Sequence, residues 1–156
     1  LLAALIFPHG ATCAEERTEA CVKEVLQTVV HASGSCLSEL LRDISDEKER
    51  IQLIRKFVKP VRFLPDRTGY LYVYTLEGLV IGHGGMPELE GKNLIEHRDA
   101  RGFYDVRMAI ATAKKGGGFF EHYWRKPGQS DEFRKLTYVE VLDGTGCFIG
   151  SGAYVP

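Results

Sequence analysis

Apolar residues recur at Val22, Val25, Leu26, Val29, Val30, Cys36, Leu37, Leu40, Leu41 and Ile44. This i, i+3/i+4, i+7 rhythm holds for about four heptads and predicts one long amphipathic helix over Glu15–Ile44. Glu15, Glu16, Lys23, Glu24, Glu39 and Arg42 form its polar face. Ser33-Gly34-Ser35 interrupts the pattern with small residues, which signals either a kink or a close contact. Ser45 is the expected cap of a second helix, whose first turn carries Asp46, Glu47 and Glu49 at the positive end of the dipole. That helix runs through Ile51, Ile54 and Phe57, and Pro60 ends it because the residue before a proline resists helical geometry.

Beyond Pro65-Asp66-Arg67-Thr68-Gly69 the period changes to two. Tyr70–Leu76 and Leu79–His83 read as two strands joined at Glu77-Gly78. A Gly-rich loop spans Gly84 to Asn93. Phe103, Val106, Ile110 and Ala113 mark a third helix, ended by Gly116-Gly117-Gly118. Three further strands are expected at Phe119–Arg125, Lys135–Leu142 and Cys147–Val155. Their connections are too short for parallel crossovers, so the strands are antiparallel neighbours. The prediction is an α+β domain in which a long N-terminal helix packs on an antiparallel sheet of about five strands. One helix is inserted after the second strand.

Composition narrows the function. The chain has 156 residues and is 44% hydrophobic, enough for one domain with a real core. Lys+Arg 20 against Asp+Glu 21, a net charge of −1, argues against a nucleic-acid partner. No 18-residue apolar run is present, so nothing spans a membrane unaided. Leu1–Phe7 followed by Pro8, Gly10 and the small residues Ala11 to Ala14 has the shape of the end of a secretory signal. Residues 1–14 are therefore expected to be a signal remnant, and 15–156 a single exported domain. Cys13, Cys21, Cys36 and Cys147 show neither C-x-x-C nor C-x-x-C-H, so no zinc, haem or other cofactor is indicated. Within one helix, Cys21 and Cys36 would lie about 22 Å apart, too far for a disulfide.

Six segments occur in order with wording of one family. They are Gly69-Tyr70-Leu71-Tyr72-Val73-Tyr74, Gly82-His83 with Leu89-Glu90-Gly91-Lys92-Asn93-Leu94, Ala113-Lys114-Lys115-Gly116-Gly117-Gly118-Phe119, Tyr123-Trp124-Arg125-Lys126-Pro127-Gly128, Lys135-Leu136-Thr137-Tyr138-Val139 and Phe148-Ile149-Gly150-Ser151-Gly152. Together they resemble the single-module Cache domains, PAS-like extracytoplasmic sensors of chemoreceptors and sensor histidine kinases. The resemblance covers Glu15 to Val155 and implies a periplasmic or extracellular domain in a receptor context. It also implies a ligand such as a small organic acid held over the sheet beneath the loops after the first hairpin. Thr75, Gly84 and Arg125 depart from the family pattern, and the last two touch the expected pocket. The charged and aromatic set that two-module relatives use for amino acids has no equivalent here.

The β segments themselves suit an anion in a small aromatic pocket, because Tyr and Trp offer donors on apolar bodies and Lys offers charge. Lys135 is the expected counter-charge, unless it is a solvated lysine at a strand start. Tyr70, Tyr72 and Tyr74 share one strand face, which either lines the pocket or packs under a helix. Tyr138 and Trp124 stand between pocket wall and core in the same way. His83 is a candidate donor or pH sensor, and Arg125 a second cation. Catalysis is not expected: Gly150-Ser151-Gly152 is not G-x-S-x-G, and no spacing pairs Cys147 with His83 or His122. The expected ligand is a two- to four-carbon carboxylate. The alternative is a non-catalytic structural or adaptor module. In either case the long helix carries enough apolar residues to predict a homodimer along it.

Overall fold

The computed structural model describes residues 19–156. The expected signal remnant (1–14), Cys13 and the first residues expected in the long helix lie outside that range. In chain order the elements are α1 (Glu19–Leu41), α2 (Glu47–Val58), β1 (Leu71–Thr75), β2 (Val80–His83), a 3-10 turn at Pro87–Leu89, α3 (Asp105–Lys114), β3 (Gly118–Arg125), β4 (Glu132–Leu142) and β5 (Cys147–Tyr154). All pairings are antiparallel, and the strand order is β2-β1-β5-β4-β3. The predicted α+β architecture, with a helix inserted after the second strand, is the one the chain adopts.

Local chemistry adjusts several boundaries. α1 stops at Leu41, its last buried residue, where Ile44 N–H turns back onto the Leu41 carbonyl. The interruption at Gly34 is a close contact within a continuous helix. A Cβ there would sit 2.8 Å from Glu140 Oε1 and 3.2 Å from Ile149 Cγ2, so glycine lets α1 settle on the sheet. The cap of α2 is Asp46, not Ser45, because Asp46 Oδ1 accepts the Glu49 N–H at 2.9 Å. The β1–β2 turn closes through Gly78, whose φ of +90° disfavours any residue with a Cβ. β4 begins three residues before the expected Lys135, since Glu132 to Arg134 pair with Arg125 to Tyr123.

The sheet separates two cores by strand alternation. Leu71, Val73, Leu136, Tyr138 and Ile149 pack with Leu26, Val30, Leu37 and Leu41 of α1 and with Ile54 and Val58 of α2. The opposite face carries Tyr70, Tyr72, Tyr74, Trp124, Val139 and Phe148, covered by Val106, Ala109 and Ile110 of α3 and by Met86 and Leu89. β5 is central and buried from Cys147 to Ala153. Among the described residues no helix is long and apolar enough to cross a membrane.

Candidate functional site

The second face holds the site because its side chains are large, aromatic and polar where the first face is mainly aliphatic. All five strands and α3 bring them together. β1 presents Tyr72 and Tyr74, with Tyr70 two residues before them, all buried. β3 presents Phe120, His122 and Trp124 at period two, and β4 places Lys135 directly opposite His122 in the ladder. α3 closes the top with Asp105, Val106 and Ala109. Together with His83 and Phe148 they surround about 330 Å³ of free space including its mouth. Only about 20 Å³ of it can hold the centre of a water molecule. Such a space suits one water or a ligand of a few heavy atoms.

Lys135 is only 2% exposed, so the solvated strand-start alternative is excluded. Its Nζ donates to Tyr70 Oη at 2.7 Å and lies 4.1 Å from the Tyr70 ring centre and 5.0 Å from that of Tyr154. Burial lowers its pKa to about 7, and the Asp105 charge opposes that only partly. No carboxylate forms a salt bridge with Lys135 among the described residues. The nearby Asp105 is held elsewhere: Oδ1 by His97 Nδ1 at 2.8 Å and Oδ2 by His122 Nδ1 at 3.3 Å.

Asp105 and His122 form a second polar centre in the same wall. Burial pushes the Asp105 carboxyl up, but the hydrogen bonds from His122 and His97 outweigh it and leave its pKa below the usual value. Burial lowers the His122 pKa against the pull of Asp105. The neutral ring donates from Nδ1 to Asp105, and its Nε2 accepts from the Thr137 hydroxyl at 3.0 Å. His97 is raised by its bond to Asp105. Asp99 fixes the loop that carries these groups. Its Oδ1 accepts from Arg101 and Phe103 N–H, and its Oδ2 accepts from Tyr123 N–H on the outer edge of β3, each at 2.9 Å.

His83 Nδ1 accepts the Met86 N–H at 2.8 Å, which leaves the ring proton on Nε2. Burial and the neighbouring Lys135 charge bring its pKa down to about 3, so it is neutral at physiological pH. Its ring stacks near Tyr72 at 5.8 Å and Trp124 at 6.5 Å. Burial raises the Tyr70, Tyr72 and Tyr74 hydroxyls, and all three remain neutral donors.

Of the residues expected at the site, the fold gathers Tyr72, Tyr74, His83, Trp124 and Lys135 around one cavity. Two do not join them. Tyr138 lies on the α1 face, where its ring packs 4.7 Å from Phe119, because it is one residue out of phase with Lys135 and Thr137. Arg125 is likewise out of phase with Trp124 and sits exposed at the end of β3, its carbonyl receiving the Tyr154 hydroxyl. The expectation had missed His122 and Asp105 as site residues. His122 was legible by stepping back two positions from Trp124. Asp105 carried no signal, since it reads as an ordinary acid in the first turn of a helix.

Comparison with known proteins adds context. A family model for the Cache domain matches residues 11–156. The sensor histidine kinase MctS of Rhizobium johnstonii is 31% identical over 71% of this chain and 24% of its own length. The methyl-accepting chemotaxis protein McpP of Pseudomonas putida is 26% identical over 90% of this chain and 25% of its own. The chain therefore spans about a quarter of the length of these curated relatives. Among solved structures, a Cache chemosensory domain described for carboxylic acid recognition aligns with a TM-score of 0.75 and 28% identity, covering 86% of this chain and 93% of that one. A periplasmic sensor domain of a chemotaxis protein gives 0.75 and 26%, covering 94% and 100%.

Proposed function

This chain belongs to the Cache-domain family, and on that premise we propose that it is an extracytoplasmic sensor module binding a two- to four-carbon carboxylate in the Lys135 cavity. Lys135 supplies the counter-charge, Tyr72, Tyr74 and His83 donate hydrogen bonds, and Trp124 forms a wall. Tyr70 and His122 complete the set. The module performs no chemistry on its ligand and signals as part of a receptor.

One observation carries this reading: a fully buried ammonium in a small aromatic cavity, with no carboxylate paired to it among the described residues. Burying a charge without an opposite charge is costly, and a small anion removes that cost while accepting charge-assisted hydrogen bonds. The structural neighbour described for carboxylic acid recognition supports the ligand class. The similar periplasmic sensor domain supports an extracytoplasmic setting.

Size bounds the affinity. Very small ligands gain at most ~1.5 kcal/mol per heavy atom, so a four-atom acid reaches about 6 kcal/mol, a dissociation constant of roughly tens of micromolar. Calorimetry with acetate, propionate, pyruvate and lactate tests the reading. The chain carries a single Trp, and Trp124 lies in the cavity wall, so its fluorescence is a second readout. Failure of all four acids to bind at millimolar concentration overturns the ligand class and favours the adaptor alternative. Exposed Val25 and Leu40 on the outer face of α1 are the surface such an adaptor would use.

A further inference from the structure

The cavity wall contains one ammonium, one carboxylate and two imidazoles that are neutral at physiological pH. Lys135 faces His122 across the β3–β4 ladder, and His122 in turn holds Asp105. Both charges thus border the same small cavity, with the His122 imidazole bonded to Asp105 and paired in register with Lys135. Both Asp105 oxygens are occupied by imidazole N–H groups. That arrangement stabilises the carboxylate as an anion and fixes its position in the wall.

From this geometry we infer that Asp105 is a specificity determinant that restricts the site to monocarboxylates and rejects dicarboxylates by charge. The inference rests on the proposed carboxylate-binding function and names the subclass. An acid whose first carboxylate meets Lys135 and whose second stays inside the cavity brings that second charge into a wall that carries the Asp105 carboxylate and no second lysine or arginine. At separations of several ångströms in a partly buried site, two like charges repel enough to cost on the order of a hundredfold in affinity. The desolvation of an unmatched second charge adds to that. Shape alone would not distinguish malonate from its half-amide, whereas charge does.

The test compares propionate, malonate and malonamate on the parent and on Asp105→Asn, by calorimetry at one pH. The parent is expected to bind propionate and malonamate and to bind malonate roughly a hundredfold more weakly. In Asp105→Asn the gap between malonamate and malonate is expected to narrow at least tenfold. Equal rejection of malonamate and malonate by the parent would make the filter steric and overturn the inference. So would malonate binding as tightly as propionate, or a folded Asp105→Asn that binds propionate and still rejects malonate. Glycine binding the parent more tightly than acetate would also overturn it, by showing that Asp105 attracts an ammonium instead of repelling an anion. If Asp105→Asn does not fold, Asp105→Ser takes its place in the same comparison, with the same outcomes. Failure of every monocarboxylate on the parent removes the proposed function and this inference together. The other adverse outcomes leave the function standing.

Discussion

The Lys135 ammonium donates to the Tyr70 hydroxyl at 2.7 Å while lying 4.1 Å from the centre of the same ring. One tyrosine therefore serves the buried charge with both an oxygen and a π face. Neither supplies a full negative charge, and the lysine stays poised with a pKa near 7. Lys135→Met keeps the apolar stem and removes the charge. Anion affinity is expected to fall at least about a hundredfold, as charge-assisted hydrogen bonds disappear. Stability should be equal or higher, because a buried charge is gone. Lys135→Arg should weaken binding less, its planar fork fitting the space poorly. Calorimetry and thermal melts on both variants check this; undiminished affinity in Lys135→Met sinks the assignment.

Ligand affinity should depend on pH in a defined direction. A bound carboxylate favours protonated Lys135 and raises its pKa above the free value of about 7. Below pH 7 the free lysine is already charged and affinity is flat. Above it the site must take up a proton to bind, so affinity falls by up to about tenfold per pH unit until the bound-state pKa is reached. Propionate titrations at pH 6, 7, 8 and 9 read this slope. A flat profile would mean that Lys135 does not carry the charge.

Stability should decline on the acid side. His83 has its pKa lowered from 6.5 to about 3, and His122 is lowered as well. For depressed groups the stabilisation is present above the unfolded pKa and is lost as pH falls toward the folded one. Asp105, also depressed, acts in the same direction below 3.8, while His97, which is raised, opposes it near neutrality. Unfolding free energies from denaturant titrations at pH 7.5 down to 4 should fall, by roughly a few kcal/mol in total. His83→Asn should flatten that limb. An acid limb unchanged in the variant would count against a depressed His83 pKa as its source.

Gly152→Ala should disturb the site from behind. A Cβ at 152 would lie 2.6 Å from Lys135 Cε and from Thr137 Oγ1, and 2.8 Å from the Leu136 carbonyl, which cannot move aside. The expected cost is about 1–3 kcal/mol of overpacking, together with weakened anion binding. Gly144→Ala is the control. It meets no atom within 4 Å, and its φ of +70° predicts a loss of about 1 kcal/mol with affinity unaltered. Equal effects from both variants would remove the link between Gly152 and the lysine.

The outer face of α1 predicts assembly. Val25 and Leu40 are 40% and 47% exposed, and Cys36 lies exposed on the same helix. Burying a second copy there is expected to give a parallel homodimer in which Cys36 meets its counterpart. Light scattering at ~100 µM and peptide mapping after mild oxidation test this. A monomer, or a Cys21–Cys36 bridge within one chain, would rule it out.

The sequence by itself determined the order of elements, the antiparallel sheet and the two faces. Period 3.6 in α1 and period 2 in β1 are properties of adjacent residues, and each names the face that must be buried. It also set Tyr70, Tyr72 and Tyr74 on one face, and placed His83 and Trp124 among the candidates. Which face met the helix pair, and which met α3, was left open. Only packing decided that, by giving α1 and α2 the aliphatic side and the loop after β2 the aromatic one. Phase separated Lys135 from Tyr138 and Trp124 from Arg125, and the pairing of His122 with Lys135 put Trp124 and Lys135 on one face. Asp105 belonged wholly to the tertiary structure. Its neighbours in the chain make it an ordinary acid at a helix start, and its contacts with His97 and His122 arise from a loop anchored by Asp99 and a strand 17 residues away. Charge selection within a buried cavity depends on groups brought together through space, and no local period records that.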